Sequence, residues 1–496
     1  MKFLAALSYA TLAGVAAAMA TDPNSPGVRY HLRARDSASG TVVQELDNSI
    51  YLYYANITVG TPAQNLRLQI DTGSSDVWVQ TGENEVCQES DDPCGVSGVF
   101  EPDESSSYTQ VATTFSISYG DSSYARGDYA YETFGIGGVE VTNLTIGVAT
   151  EGNATEGIMG IGYASNEAIV SQSSGSKEYN NLPVLLYKQG LTNSVSYSLW
   201  LNDLDSSTGS VLFGGVDSSK YSGELVTLSI DTYVGESEPS EFYVTLQSLA
   251  VTDTSGTEQS LGTVDQSVLL DSGTSFIYLP QTVVENVASS TQSEYSSELG
   301  YYINYCSIRD YNGTLDFVFD GVTIKVSFSE LFFPATSTTG ETLTFTNGQE
   351  VCLLTMLSSE DVGANILGDT FLRSAYVVFD LDSNTVSLAQ TIFNATDSSV
   401  VAISSSIPSA SSVSASATVH ASGSKTGDLT GATQTGDSSS TALDSSSTSD
   451  SSSSTSASST STANLAFGGS VVAYESSIKA VFSIICAFAL AGLGLF

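Results

Sequence analysis

The sequence predicts an all-β protein built as two related lobes with a central cleft, and three observations predict it. An apolar run ending in an acidic turn occurs twice. The copies are Leu68-Gln69-Ile70-Asp71-Thr72-Gly73-Ser74-Ser75 and, 200 residues later, Val268-Leu269-Leu270-Asp271-Ser272-Gly273-Thr274-Ser275. The segments Ile158-Met159-Gly160 and Ile366-Leu367-Gly368 recur 208 residues apart. Two markers with nearly one offset imply an internal duplication, one lobe per copy related by a pseudo-two-fold axis. Between Tyr51 and Leu388 the chain also reads as short β-rich runs separated by Gly-rich turns, with few helical patterns.

Residues 1–20 place Lys2 before an apolar run that closes on Ala18-Met19-Ala20, the form of a secretory signal. Residues 21–48 are polar and carry Arg29, Arg33 and Arg35. The first lobe is expected over 49–228 and the second over 229–396. Tyr51-Leu52-Tyr53-Tyr54 and Asn56-Ile57-Thr58-Val59 have strand composition, and Gly60-Thr61-Pro62 makes a turn. Leu66, Leu68 and Ile70 then alternate with Arg67 and Gln69, a half-buried strand leading into Asp71. The clearest helix is the stretch Leu182-Pro183-Val184-Leu185-Leu186-Tyr187-Lys188-Gln189-Gly190, with Gly190 as its stop.

Residues 397–467 are mostly Ser, Thr, Ala and Gly. Such a composition cannot bury a core and predicts a disordered, O-glycosylated stalk. Residues 468–496 hold a short spacer and an uncharged apolar run that ends the chain. This matches a GPI-anchor signal, with Gly468, Gly469 or Asn464 as candidate attachment residues. A transmembrane helix is the rival reading. The run from Ala480 is near the lower length limit for spanning, and no Lys or Arg follows it.

Composition excludes several functions. There are 54 acidic residues against 14 basic ones, a net charge of −40. Nucleic-acid binding needs the opposite balance. The charge also makes the compact state repel itself, and mild acid relieves this. The two histidines are His31 and His420, so none lies between Tyr51 and Phe393. A Ser-His-Asp site and a His-ligated zinc are therefore not available there, and neither a metal nor a cofactor is expected. Acid–base chemistry is left to carboxylates, Tyr or Lys. Of five cysteines, Cys87, Cys94, Cys306 and Cys352 fall in the two lobes and suggest two disulfides in a secreted chain; sequence alone permits several pairings. Asn-x-Thr sequons stand at Asn56, Asn143, Asn153, Asn312 and Asn394.

On the paired turns and the paired apolar-Gly segments, the chain resembles the pepsin-like aspartic proteases from about Tyr51 to Phe393. Its signal, stalk and tail make it similar to the fungal, surface-anchored yapsin-like type. The resemblance implies a peptide-hydrolysing dyad of Asp71 and Asp271 acting on water, with peptides or proteins as substrates. It implies that Thr72 and Ser272 bond across the lobes, that Ser74 and Thr274 bond the outer oxygens of the aspartates, and that Gly73 and Gly273 permit the tight turns. Phe115-Ser116-Ile117-Ser118-Tyr119-Gly120-Asp121 resembles the hairpin flap that closes over substrate, with Tyr119 pairing with Trp78. The pairings implied are Cys87–Cys94 and Cys306–Cys352. Residues 21–48 would be a propeptide-like segment whose cations cover the cleft, with a processing site at Arg33-Ala34-Arg35. Asp121 at the flap implies acceptance of Lys before the cut; otherwise it is a solvated turn residue. A monomer is expected, held to the membrane by the anchor. A catalytically weak wall glycoprotein or binding module on the same fold is the alternative. A two-carboxylate glycosidase leaves the duplicated motif and the flap unexplained.

Overall fold

The computed structural model describes residues 39–413 apart from 173–176, 338–339 and 361. The expected signal segment, the basic residues at 29–35 and the expected anchor signal with Asn464, Gly468 and Gly469 lie outside the described residues.

The alternation read before Asp71 makes the strand Gln64–Asp71, in which Leu66, Leu68 and Ile70 are buried. It runs parallel to Gly157–Gly160, with Asp71 opposite Gly160. Gly157–Gly160 pairs antiparallel with Val77–Gln80, the strand that leaves the acidic turn. Val77–Gln80 in turn runs parallel to Val139–Gly152. The second half repeats this order. Glu258–Leu270 runs parallel to Ile366–Leu367, which pairs antiparallel with Ile277–Leu279, itself parallel to Met356–Ser358. The duplication inferred from two short motifs is thus a duplicated strand topology. The Gly of each apolar-Gly segment lets the backbones meet. A Cβ on Gly160 would lie 2.7 Å from the Asp76 backbone, and one on Gly368 would lie 2.2 Å from the Thr274 carbonyl.

The two copies occupy different sheets, one of 14 strands and one of seven. The 14-stranded sheet also holds late strands, Ala375–Asp380 and Thr385–Thr391, beside Tyr221–Ser229. Leu228, where the lobe boundary was expected, is therefore inside a strand of this shared sheet. A buried aromatic group joins the halves: Phe242 packs on Phe379 at 4.6 Å and on Tyr163 at 5.0 Å between ring centroids.

Two expected boundaries are corrected. Val42–Asn48, inside the expected propeptide-like segment, is an inner strand between Thr208–Phe213 and Tyr53–Val59. Val42 and Leu46 are buried there with Gln44 between them on the same face, its Oε1 accepting from Gly137 N–H at 2.9 Å. The expected stalk also begins too early. Val400–Ala402 pairs with Gly215–Asp217, and Ala410–Ser412 runs parallel to Leu225–Thr227. Ile403 and Ile407 are buried, and these isolated apolar residues in a Ser-rich stretch supply the reason.

The helix Leu182–Lys188 forms as read, with Pro183 in its first turn and Gly190 at φ +72°. Gln281–Ser290 is a helix that the reading missed. Val284, Val287 and Ala288 supply its buried face at three- and four-residue spacing. Cys87–Cys94 and Cys306–Cys352 are both disulfides. The five sequon asparagines are all exposed.

Candidate active site

Asp71 and Asp271 end equivalent strands, and both are fully buried. Each aspartate is held by its own turn. Gly73 N–H donates to Asp71 Oδ1 and Gly273 N–H to Asp271 Oδ1, both at 2.8 Å. Ser74 Oγ donates to Asp71 Oδ2, and Thr274 Oγ1 donates to Asp271 Oδ2 at 2.6 Å. The two turns are tied to each other reciprocally. Thr72 Oγ1 accepts from Ser272 N–H at 2.9 Å and donates to the Leu270 carbonyl at 2.9 Å. Ser272 Oγ accepts from Thr72 N–H at 3.2 Å and donates to the Ile70 carbonyl at 3.3 Å. Serine at 272 serves as well as threonine because only the hydroxyl is used.

This network brings the two carboxyls within hydrogen-bonding reach of each other. Burial holds Asp71 well above the ordinary carboxylate range, and the Asp271 charge raises it further, against the Ser74 and Gly73 bonds. Burial pushes Asp271 up to about 6, against the bonds from Thr274 and Gly273. Two close carboxyls in a dry site keep one proton between them, since ionising both concentrates like charge.

Thr109–Ser118 and Tyr124–Ile136 form the hairpin, turning through Tyr119, Gly120 and Asp121. Tyr119 is buried, and its hydroxyl accepts from Trp78 Nε1 at 2.7 Å. The same hydroxyl lies within electrostatic reach of Asp71, whose Oδ2 accepts from Ser74 Oγ. The flap tyrosine is therefore coupled electrostatically to the dyad. Asp121 does not project freely. Its Oδ1 accepts from Ser123 N–H at 2.7 Å and braces the turn, in which Ser122 sits at φ +69°.

The chain matches the family of eukaryotic aspartyl proteases over residues 52–391. It belongs to that family. A probable aspartic-type endopeptidase opsB of Aspergillus fumigatus is 42% identical, over 81% of this chain and 83% of its own length. The acid protease of Saccharomycopsis fibuligera is 40% identical over 75% of this chain and 88% of its own. The aspartic proteinase yapsin-3 of Saccharomyces cerevisiae is 36% identical over 74% and 71%. The fold is similar to the crystal structure of the aspartic proteinase from Irpex lacteus, with a TM-score of 0.57 over 72% of this chain and 99% of the other, at 20% identity.

Three further acids near this aspartyl-protease site escaped the sequence reading. Asp76 is buried and accepts from Ala168 N–H at 2.7 Å, Tyr179 Oη at 2.7 Å and Tyr129 Oη at 2.9 Å. Glu167 is buried nearby. Its Oε2 accepts from Tyr179 N–H at 2.8 Å, and its Oε1 has no hydrogen-bond partner among the described residues. Asp369 lies within electrostatic reach of Asp71, Asp271 and Arg373, and its carboxyl accepts no hydrogen bond among the described residues. Burial holds it well above the ordinary range. Asp76 and Asp369 do follow the motifs closely in sequence, five residues after Asp71 and one after Gly368. Nothing in the sequence marks Glu167.

Proposed function

We propose that the chain is a secreted, cell-surface aspartic endopeptidase in which Asp71 and Asp271 share a proton and activate water. The observation that carries this is the buried pair, each member held by its own Gly N–H and hydroxyl and tied together by Thr72 and Ser272. The ionised carboxylate takes a proton from water as it attacks the peptide carbon. The protonated one donates to the carbonyl oxygen, as in aspartic proteases generally. The rigid network keeps both oxygens oriented through the reaction, so little reorganisation is needed. The flap, held by Tyr119 and Trp78, covers the peptide and excludes bulk water. N-glycosylation at the exposed Asn56, Asn143, Asn153, Asn312 and Asn394, and anchoring at Asn464, Gly468 or Gly469, complete the reading, with release from the basic segment at Arg33-Ala34-Arg35.

One experiment tests anchor and activity together. A chain ending at Thr462 is expected in the medium and not on cells, and it should cleave a mixed peptide library fastest in acid. Raising pH removes the shared proton, so the rate falls towards neutrality. A hydroxyl-bearing mimic of the tetrahedral intermediate should block it. Retention on cells would reject the anchor; an alkaline optimum, or full activity with the mimic present, would reject the dyad mechanism.

The flap also supports acceptance of Lys or Arg before the cut, alongside bulky apolar residues. A Lys stem packs along apolar surface while its ammonium seeks a partner. Asp121 uses Oδ1 to brace Ser123, yet a carboxylate accepts at both oxygens. Asp121→Thr retains a side-chain acceptor for the turn and removes the charge. It should lower kcat/KM for basic substrates about tenfold and leave apolar ones nearly unchanged. Equal losses on both classes would mean that Asp121 only shapes the turn.

A further inference from the structure

Asn153 makes three hydrogen bonds to the flap hairpin. Its backbone N–H donates to the Tyr124 carbonyl at 3.2 Å. Its Oδ1 accepts from Tyr124 N–H at 2.8 Å, and its Nδ2 donates to the Ser122 carbonyl at 3.1 Å. The ladder between Tyr124–Ile136 and Val139–Gly152 ends at Ala125 opposite Gly152. Asn153 therefore continues that ladder with a side chain, one step further towards the flap turn. The approach is close because residue 152 is glycine: a Cβ there would lie 2.4 Å from the Tyr124 carbonyl.

Both ends of this clasp are connected to the site. On the outer side, Gln80 Nε2 donates to the Ala154 carbonyl at 2.5 Å and Asn84 Nδ2 donates to Gln80 Oε1 at 2.9 Å. Gln80 and Asn84 are buried, so the clasp is fixed to the strand Val77–Gln80 that carries Trp78. On the inner side, Ser122 N–H donates to the Tyr119 carbonyl at 3.0 Å, and Tyr119 N–H donates to the Ser123 carbonyl at 2.8 Å. The turn held by Asn153 is thus the turn that carries Tyr119, whose hydroxyl accepts from Trp78 Nε1.

We propose that Asn153 is a positioning residue for peptide hydrolysis, pinning the flap turn so that Tyr119 stays seated on Trp78. The inference rests on the endopeptidase reading above. Because Asn153-Ala154-Thr155 is also a sequon, a glycan on Nδ2 would replace one of the two amide hydrogens beside Ser122, and the clasp and the modification share one nitrogen.

The test separates amide from glycan in the full-length protein. Thr155→Ala removes the sequon and keeps the Asn153 amide; Asn153→Ala removes both; Asn153→Asp keeps the acceptor for Tyr124 and loses the donor to Ser122. Relative to Thr155→Ala, Asn153→Ala should lower kcat/KM about three- to tenfold for peptides long enough to lie under the flap. The loss should sit in KM, because the reacting groups are untouched, and Asn153→Asp should fall between the two. Trp78 emission should shift to longer wavelength in Asn153→Ala and not in Thr155→Ala. Kinetics and emission equal in Asn153→Ala and Thr155→Ala would overturn the inference, as would a loss confined to kcat that tracks a lowered melting temperature. A wild-type chain that cleaves no peptide would reject the endopeptidase reading instead, while the emission comparison would still decide the clasp.

Discussion

Asn in place of Asp71 or Asp271 is expected to remove peptide hydrolysis almost entirely, by at least about 10³-fold in kcat/KM, with the protein still folded and secreted. Asn has the shape of Asp, and its amide oxygen can still accept the 2.8 Å bond from Gly73 or Gly273. It can neither take a proton from water nor pass one to the substrate carbonyl at these pH values. No histidine exists between Tyr51 and Phe393 to take over. The fold should survive because the substitution removes a buried like-charge neighbour from a site where burial already disfavours ionisation. Peptide cleavage and a thermal melt of each single variant check this. More than a few per cent of wild-type activity, with contaminating protease excluded, would sink the dyad; an unfolded variant would mean that the aspartates are needed for packing.

The second large effect is on stability. Burial, and then the Asp76 charge, push the Glu167 carboxyl up to about 10, against the lowering bond from Tyr179 N–H. Burial raises Asp76 too, opposed by its bonds from Ala168, Tyr179 and Tyr129. In the unfolded chain Glu167 titrates near 4.5. The sign follows from proton counts. Between these values the folded state binds a proton that the unfolded state has lost, so stability falls as pH rises. The stabilisation is complete below about 4.5 and is lost progressively as pH climbs towards 10, at up to about 1.4 kcal/mol per pH unit for this one group.

Glu167→Gln keeps the shape and cannot ionise. It should match wild type at pH 4 and exceed it near pH 7 by up to about 3 kcal/mol, several degrees in melting temperature. The acidic surface also repels itself more as pH rises, but it does so in both proteins, so the difference isolates Glu167. Parallel melting curves from pH 4 to pH 8 would mean that the carboxyl is solvated or paired in solution. Because Asn166, beside Glu167, donates to the Gly73 carbonyl at 3.4 Å, loosening of this segment reaches the Asp71 turn directly.

What the sequence determined by itself was whatever is written in local pattern and repeated. The two Asp-Thr/Ser-Gly turns, their apolar approach strands and the two apolar-Gly segments were legible because short-range sterics dictate them, and duplication made chance agreement improbable. The single helix that was read has its own start and stop signals in Pro183 and Gly190. The helix Gln281–Ser290 had a legible apolar spacing and was overlooked. Only the tertiary structure decided which distant groups share a dry space. Val42–Asn48 and Val400–Ala402 look like polar linker until a waiting strand edge supplies their hydrogen bonds. Glu167 and Asp76 look like solvated acids until the fold buries them together. Their behaviour depends on desolvation and on a neighbour some 90 residues away in the chain. No local pattern encodes that distance, so the two acidic turns could be read in the sequence while the electrostatic setting around them could not.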